Sequence, residues 1–254
     1  MIPLDDRGLL LGDGLFETML ALDGAIPLVE AHLDRLAAGC GALGLPALDR
    51  EAARALCLSA PPPAGRAAVR LTVTAGSGGR GLDRPAQIAP RLRATAALST
   101  PIETPATLII ARTRRNEGSL ASRLKTLAYL DNVLARAEAT AAGADEAVML
   151  NNAGHLACAA AANLFWIDGE RLLTPALDCG VLAGITRARV LAAARSWEIE
   201  VLEIAADSAR LAGADGVFLT NSLIGVRPVS RLGGRILAPH PLTERLRGVF
   251  SSPA

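Results

Sequence analysis

Apolar and polar residues alternate through Val69-Arg70-Leu71-Thr72-Val73-Thr74, the two-residue period of a half-buried strand. An apolar run from Leu15 to Leu22, then Asp23-Gly24, then Ala25 to Val29 predicts a hairpin closed by a primed turn. Leu33, Leu36, Ala37, Cys40 and Leu43 recur at helical spacing, which predicts a helix over 30–45 stopped by Gly44 and Pro46. A second helix over about 49–59 ends before Pro61-Pro62-Pro63. Thr107 to Ala111 predicts a further strand, so the first half has α+β character.

Residues 112–119, RTRRNEGS, are polar and aperiodic. They read as a connection between a small N-terminal α/β domain, 1–111, and a larger C-terminal domain, 120–254. Past it a helix is expected from Thr126 to Ala142, with Leu127, Leu130 and Leu134 on one face. A strand at Ala147–Leu150, a turn at Asn151-Asn152-Ala153-Gly154 and a hairpin through Asp168-Gly169 follow. Gly184 to Trp197 predicts a helix, Ile199 to Ile204 a strand, and Val217 to Thr220 a strand ending in polar Asn221-Ser222. The chain shows no internal repeat.

Composition narrows the function. Hydrophobic residues make up 51% and charged residues 20%, as in a globular protein able to bury a core. A net charge of +1 and scarce aromatics give no footprint for nucleic acid or an anionic membrane surface. Cys40, Cys57, Cys158 and Cys179 are far apart, which suggests reduced thiols in a cytoplasmic protein. The cysteines, carboxylates and three separated histidines show no metal spacing, so no metal is expected. The N-terminal residues have early aspartates and no long apolar run, unlike a signal peptide or a membrane anchor.

One number stands out after that. Lys125 is the only lysine among 26 basic residues. Codon bias toward arginine explains the scarcity but not the neighbourhood of the survivor. Arginine cannot lose its proton at useful pH, whereas a lysine amine can deprotonate and attack a carbonyl. Lys125 is expected to open a helix, whose positive end would disfavour its ammonium form. Tyr129, the only tyrosine, then lies one turn on; on spacing alone it reads as a half-buried helix residue. Gly184-Ile185-Thr186-Arg187 opens a helix where backbone amides attract an anion, although such a start is usually just a cap. Thr220-Asn221-Ser222 ends a strand with hydroxyls. Arg35 on the 30–45 helix could add a charge-assisted bond, or be solvated surface.

Together these segments resemble the class IV, or fold-type IV, pyridoxal-phosphate enzymes, a family of two-domain α/β proteins. It holds branched-chain and D-amino acid aminotransferases and 4-amino-4-deoxychorismate lyases. Asp6-Arg7-Gly8 with Gly12 to Thr18 is similar to the family's opening strand motif, and His32 to Leu36 to its phosphate-arginine segment. Lys125 to Leu134 is similar to its Schiff-base lysine segment, and Ala144 to Ala147 and Asn163-Leu164-Phe165 to the strands that follow. Gly76-Ser77-Gly78-Gly79-Arg80-Gly81 and Phe16-Glu17-Thr18 look most like the lyase branch. The opening motif comes almost at once, so the family's first edge strand is expected to be missing.

The resemblance implies pyridoxal 5′-phosphate bound through Lys125. It places Arg35, Ile185, Thr186 and Ser222 on the phosphate, Tyr129 by the ring oxygen, and Phe16 and Arg80 by the substrate. It also implies a homodimer. Two positions depart from the family. Cys158 stands where the family has a glutamate facing the pyridine nitrogen, and alanines 159–162 follow it. Ala128 stands where the lyase branch often has asparagine. A neutral thiol makes a weaker electron sink. That implies an inactive relic, a carboxylate supplied from elsewhere, or chemistry tolerant of a weak sink. The expected activity is conversion of 4-amino-4-deoxychorismate to 4-aminobenzoate and pyruvate, on the way to folate, with amino transfer as the alternative.

Overall fold

A computed structural model of the chain describes residues 2–251. Its contacts divide into two units, Met1–Thr100 with Leu124–Ala128, and Pro101–Arg123 with Tyr129–Ala254. This differs from the boundary expected at 112–119, because the strand at Ala106–Ile110 pairs within the second unit's sheet.

The first unit holds α1 (Arg7–Leu11), β1 (Gly14–Leu22), α2 (Val29–Ala42), α3 (Arg50–Ser59), β2 (Arg66–Thr74) and β3 (Arg91–Leu98). The strands form an antiparallel sheet in sequence order. Asp6 and Asp49 cap α1 and α3, their carboxylates accepting from Gly8 N and Ala52 N. The Asp23-Gly24 turn has positive φ at both positions, 48° and 80°, as a primed turn requires. The expected return strand shrinks to one bridge, Leu22 to Ala25. Pro27 has no N–H to give a ladder, and Val29 already opens α2. Leu15, Met19 and Ala21 of β1 share a core with Leu33 and Leu36 of α2 and Val69 and Leu71 of β2.

In the second unit the first elements are β4 (Ala106–Ile110), α4 (Leu120–Arg123), α5 (Leu130–Ala141), β5 (Glu146–Leu150), β6 (Leu156–Ala159), β7 (Asn163–Asp168) and β8 (Arg171–Pro175). There follow α6 (Ile185–Ser196), β9 (Val201–Ile204), α7 (Ser208–Gly213), β10 (Gly216–Asn221), β11 (Gly225–Leu232), β12 (Arg235–Ile236) and α8 (Pro241–Ser251). Nine strands make one mixed sheet in the order β6-β5-β4-β11-β10-β7-β8-β9, with β12 on β11. Neighbouring residues point to opposite faces, so Trp166 joins one core cluster while Phe165 stacks on Phe218 (centroids 4.9 Å apart) in another with α6 and α8.

The helix expected from Thr126 begins at Leu130 instead. Its buried positions are Asn132, Ala135 and Ala139, while Leu130 and Leu134 are exposed. Four strands, β3, β6, β11 and β12, run where none was expected. β3 sets Leu92, Ala94, Ala96 and Leu98 against Arg91, Arg93 and Thr95, an apolar period weakened by its small alanines, and β11 contains Pro228. Pro228 is tolerated because β4 pairs with β11 only from Val229 onward.

Candidate active site

In the first unit, Lys125 sits on a strand edge. Phe16 N donates to Lys125 O at 2.9 Å and Leu127 N to Gly14 O at 3.0 Å, so residues 125–127 add a short strand to β1. These backbone bonds explain the late start of α5: a segment in a ladder cannot also be helical. Lys125 therefore does not itself open a helix, and Tyr129 does not lie one helical turn beyond it. Gly14 permits the close approach. A Cβ there would stand 2.3 Å from Val73 O and 2.9 Å from Leu127 Cδ1.

Phe16 projects beneath the lysine. Lys125 Nζ lies 4.3 Å from its ring centroid and Arg70 Cζ lies 3.7 Å from the same centroid. The structure thus joins Phe16 to Lys125, as a wall beside the amine, and adds Arg70, which the sequence reading passed over. Thr126 Oγ1, one residue on, is buried and makes no hydrogen bond.

Arg35 turns toward the buried side of β1. Its Nε donates to Glu17 Oε1 at 2.8 Å and its Nη2 to Glu17 Oε2 at 2.6 Å. His32 Nδ1 meets the same Oε2 at 2.7 Å. Burial opposes the Glu17 charge, but the His32 and Arg35 bonds outweigh it and hold the carboxyl below its usual range.

The 76–83 loop is ordered around Arg7. That guanidinium donates to Gly78 O, Gly81 O, Leu82 O and Asp83 O, and its Nε to Asp13 at 3.0 Å. Arg84 grips the same Asp13, and these two arginines pull its pKa down against burial. These bonds tie the glycine-rich turn to Arg7. Arg80 stands exposed on the turn.

In the second unit, Asn163 organises a corner. Asn163 pairs with Thr220 across β7 and β10. Its side-chain amide donates to Leu182 O at 2.9 Å, just before α6. Gly184, the N-cap of α6, packs so tightly on it that a Cβ would lie 2.0 Å from Asn163 Oδ1. The two segments expected to hold an anion, 184–186 and 220–222, thereby meet at one residue. The amides of Ile185 and Thr186 fall in the first helical turn, without intrahelical acceptors. Thr220 Oγ1 is fully buried and makes no hydrogen bond. Asn221 accepts from Leu223 N and Ile224 N, both at 2.9 Å, and shapes the turn that carries Ser222. Arg187, also of the motif, is structural: it is buried and pairs with Glu203 at 2.7 Å.

An amide-lined corner with an unsatisfied hydroxyl and no room for a Cβ suits an oxyanion such as a phosphate ester.

A model of the class IV aminotransferases matches residues 14–232.

The chain belongs to that family.

The fold is the mixed α/β fold of its fold-type IV structures. The 4-amino-4-deoxychorismate lyase of Pseudomonas aeruginosa superposes with a TM-score of 0.87 at 35% identity, over 98% of this chain and 94% of that one. A protein of Methanocaldococcus jannaschii, provisionally named a branched-chain-amino-acid aminotransferase, is 32% identical over 93% of this chain and 84% of its own. A hypothetical aminotransferase of Mycobacterium tuberculosis, solved in its PLP-bound form, has a TM-score of 0.85 at 25% identity, covering 99% and 92%.

Cys158 lies on β6 opposite Met149, buried among alanines. Burial pushes its thiol up; Arg115 opposes that and Glu146 adds to it, so the thiol stays protonated near neutral pH. Arg115 is itself buried with neutral partners: Asn132 Oδ1 at 2.8 Å, Gly180 O at 3.1 Å and Ser122 O at 2.5 Å. Among the described residues it forms no ion pair with a carboxylate. Asn132 passes the network on to Ala160 O at 2.8 Å. Tyr129 is the half-buried N-cap of α5.

Among the described residues no group of three His, Cys, Asp or Glu side chains could hold a metal ion, and no helix is long and apolar enough to cross a membrane.

Proposed function

We propose that the chain is a pyridoxal-phosphate-dependent lyase that converts 4-amino-4-deoxychorismate to 4-aminobenzoate and pyruvate, a cytoplasmic step toward folate carried out by a homodimer. Pyridoxal 5′-phosphate supplies an aldehyde that captures amines and a conjugated ring that draws electrons from the carbon beside the captured nitrogen. Lys125 Nζ would hold that aldehyde, and the amine, once a substrate amine has displaced it, would take and return the proton that moves. Arg35, the amides of Ile185 and Thr186, the Thr186 and Ser222 hydroxyls and Thr220 Oγ1 would hold the phosphate. The Tyr129 hydroxyl would donate to the ring oxygen. Phe16 shields the amine from water and orients substrate against it, while Arg80 or Arg70 meets a substrate carboxylate.

Cys158 carries the choice of lyase. A carboxylate beside a ring nitrogen keeps it protonated by charge; a buried, neutral thiol does not. A reaction that ends in an aromatic product draws driving force from that product and leans least on this residue. The alternative is an aminotransferase acting on branched-chain or D-amino acids, favoured by the 32% identity to the M. jannaschii protein. A catalytically impaired member is the third reading.

The loaded protein should release 4-aminobenzoate and pyruvate from 4-amino-4-deoxychorismate with no amino acceptor present. Cys158→Glu should raise amino transfer to 2-oxoglutarate by about tenfold or more relative to lyase turnover. Amino transfer by the wild type without pyruvate release sinks the lyase in favour of the aminotransferase. Cofactor binding with neither activity leaves the impaired member.

A further inference from the structure

Leu15, Glu17, Met19 and Ala21 share the buried face of β1, all at most 2% exposed, and Glu17 is the one polar residue among them. A carboxylate there loses its hydration, and packing alone gives no reason for it. Replacing a buried ion pair by apolar side chains of similar volume is often neutral or stabilising. Glu17 also contributes nothing to the sheet that an apolar residue would not. What it does contribute is geometry. It takes Arg35 through Nε and Nη2 together, at 2.8 and 2.6 Å, a two-point grip that fixes the plane of the guanidinium. An arginine otherwise carries large rotamer entropy into any contact it makes. His32, three residues before Arg35 on α2, is 1% exposed and locks the carboxylate from the other side at 2.7 Å.

We propose that Glu17 is a positioning residue. It holds Arg35 in one orientation for a phosphate monoester, with His32 holding Glu17 in turn. This rests on the assignment of Arg35 to the phosphate in the proposed function. Because Glu17 acts through Arg35, its removal should affect recognition of the phosphate and leave capture of the aldehyde by Lys125 alone.

Titration of the apoprotein with pyridoxal 5′-phosphate and with pyridoxal, which lacks the phosphate, separates the two, with visible absorbance as the readout. Glu17→Gln should weaken the phosphorylated aldehyde about tenfold or more and pyridoxal by less than about twofold. A merely structural role would weaken both alike, and that result overturns the proposal. Arg35→Ala is the control. If it removes the preference for the phosphorylated form while Glu17→Gln keeps it, the positioning role is wrong and the arginine assignment stands. If Arg35→Ala keeps the preference, the assignment itself falls, and the inference with it. Should Glu17→Gln fail to fold, Glu17→Asp withdraws the same charge by one methylene; an undiminished preference in that variant overturns the proposal equally.

Discussion

Thr220 is a hydroxyl placed where water cannot reach it and no protein acceptor or donor meets it. Unsatisfied buried polar groups cost about 1–3 kcal/mol, so such a residue is poorly explained by the fold alone. Valine fills nearly the same volume without the hydroxyl. Thr220→Val should therefore leave the cofactor-free protein as stable or more stable, by up to about 1 kcal/mol, while weakening pyridoxal phosphate several-fold. Urea midpoints with and without cofactor test both halves. A loss of stability in the apoprotein with unchanged affinity would mean that the hydroxyl serves packing. Orphaned hydroxyls of this kind are invisible in sequence, where Thr220 was only one of three polar residues at a strand end. Lys125 was legible because its residue type is unique in the chain. The Glu17, His32 and Arg35 cluster was half legible: histidine and arginine three apart on a helix share a face, but nothing in β1 announces which strand residue meets them.

Elements were read well where apolar period and stop signals agreed. α2, α3 and β1 lie within three residues of the expected spans, since glycine, proline and aspartate mark their ends. The reading failed where backbone pairing across distant sequence overrode local propensity. Leu127, Leu130 and Leu134 have helical spacing, yet Leu127 donates its N–H to Gly14 O and is held out of the helix. The apolar period there described an exposed face, and the buried positions of α5 are small or polar. That pairing makes Gly14 a sharp probe of the element. Gly14→Ala would drive a methyl into Val73 O and Leu127 Cδ1, forcing β1 off one of its two neighbours. Overpacking of this kind costs about 1–3 kcal/mol or more. The expected outcome is a lowered melting temperature together with lost cofactor absorbance, and an unchanged melting curve would show that the strand shifts freely.

For the whole molecule, paired carboxylates set the acid limb of stability. Asp13 and Glu17 in the first unit, and Glu138, Asp145 and Glu203 in the second, all have pKa values lowered on folding. For Glu138 the bond from the Thr113 hydroxyl leads, with the Arg112 amide next, and takes it down to about 2. A lowered carboxyl stabilises the fold above its unfolded pKa and loses that contribution as pH falls through the folded one. Both units should therefore weaken from about pH 4.5 downward, continuing toward about 2. The buried thiols act with the opposite sense. Burial raises Cys57 from 9.0 to about 11, so its contribution is whole below pH 9.0 and fades as pH climbs through about 11. Urea midpoints across pH should form a plateau bounded on both sides. Equal midpoints at pH 3 and pH 7 would show that these carboxylates are not linked to folding.

The five residues around Lys125 belong to the first unit, while the chain on either side of them belongs to the second. A gene fragment that ends at Thr100 would encode the whole three-stranded sheet and still lack the lysine proposed to hold the aldehyde. Recombination that exchanged one unit for a relative's would leave behind, or import, a foreign edge strand in the other. The two halves of this enzyme are therefore bound to evolve as one inheritance, tied by a short loan of chain that neither can return.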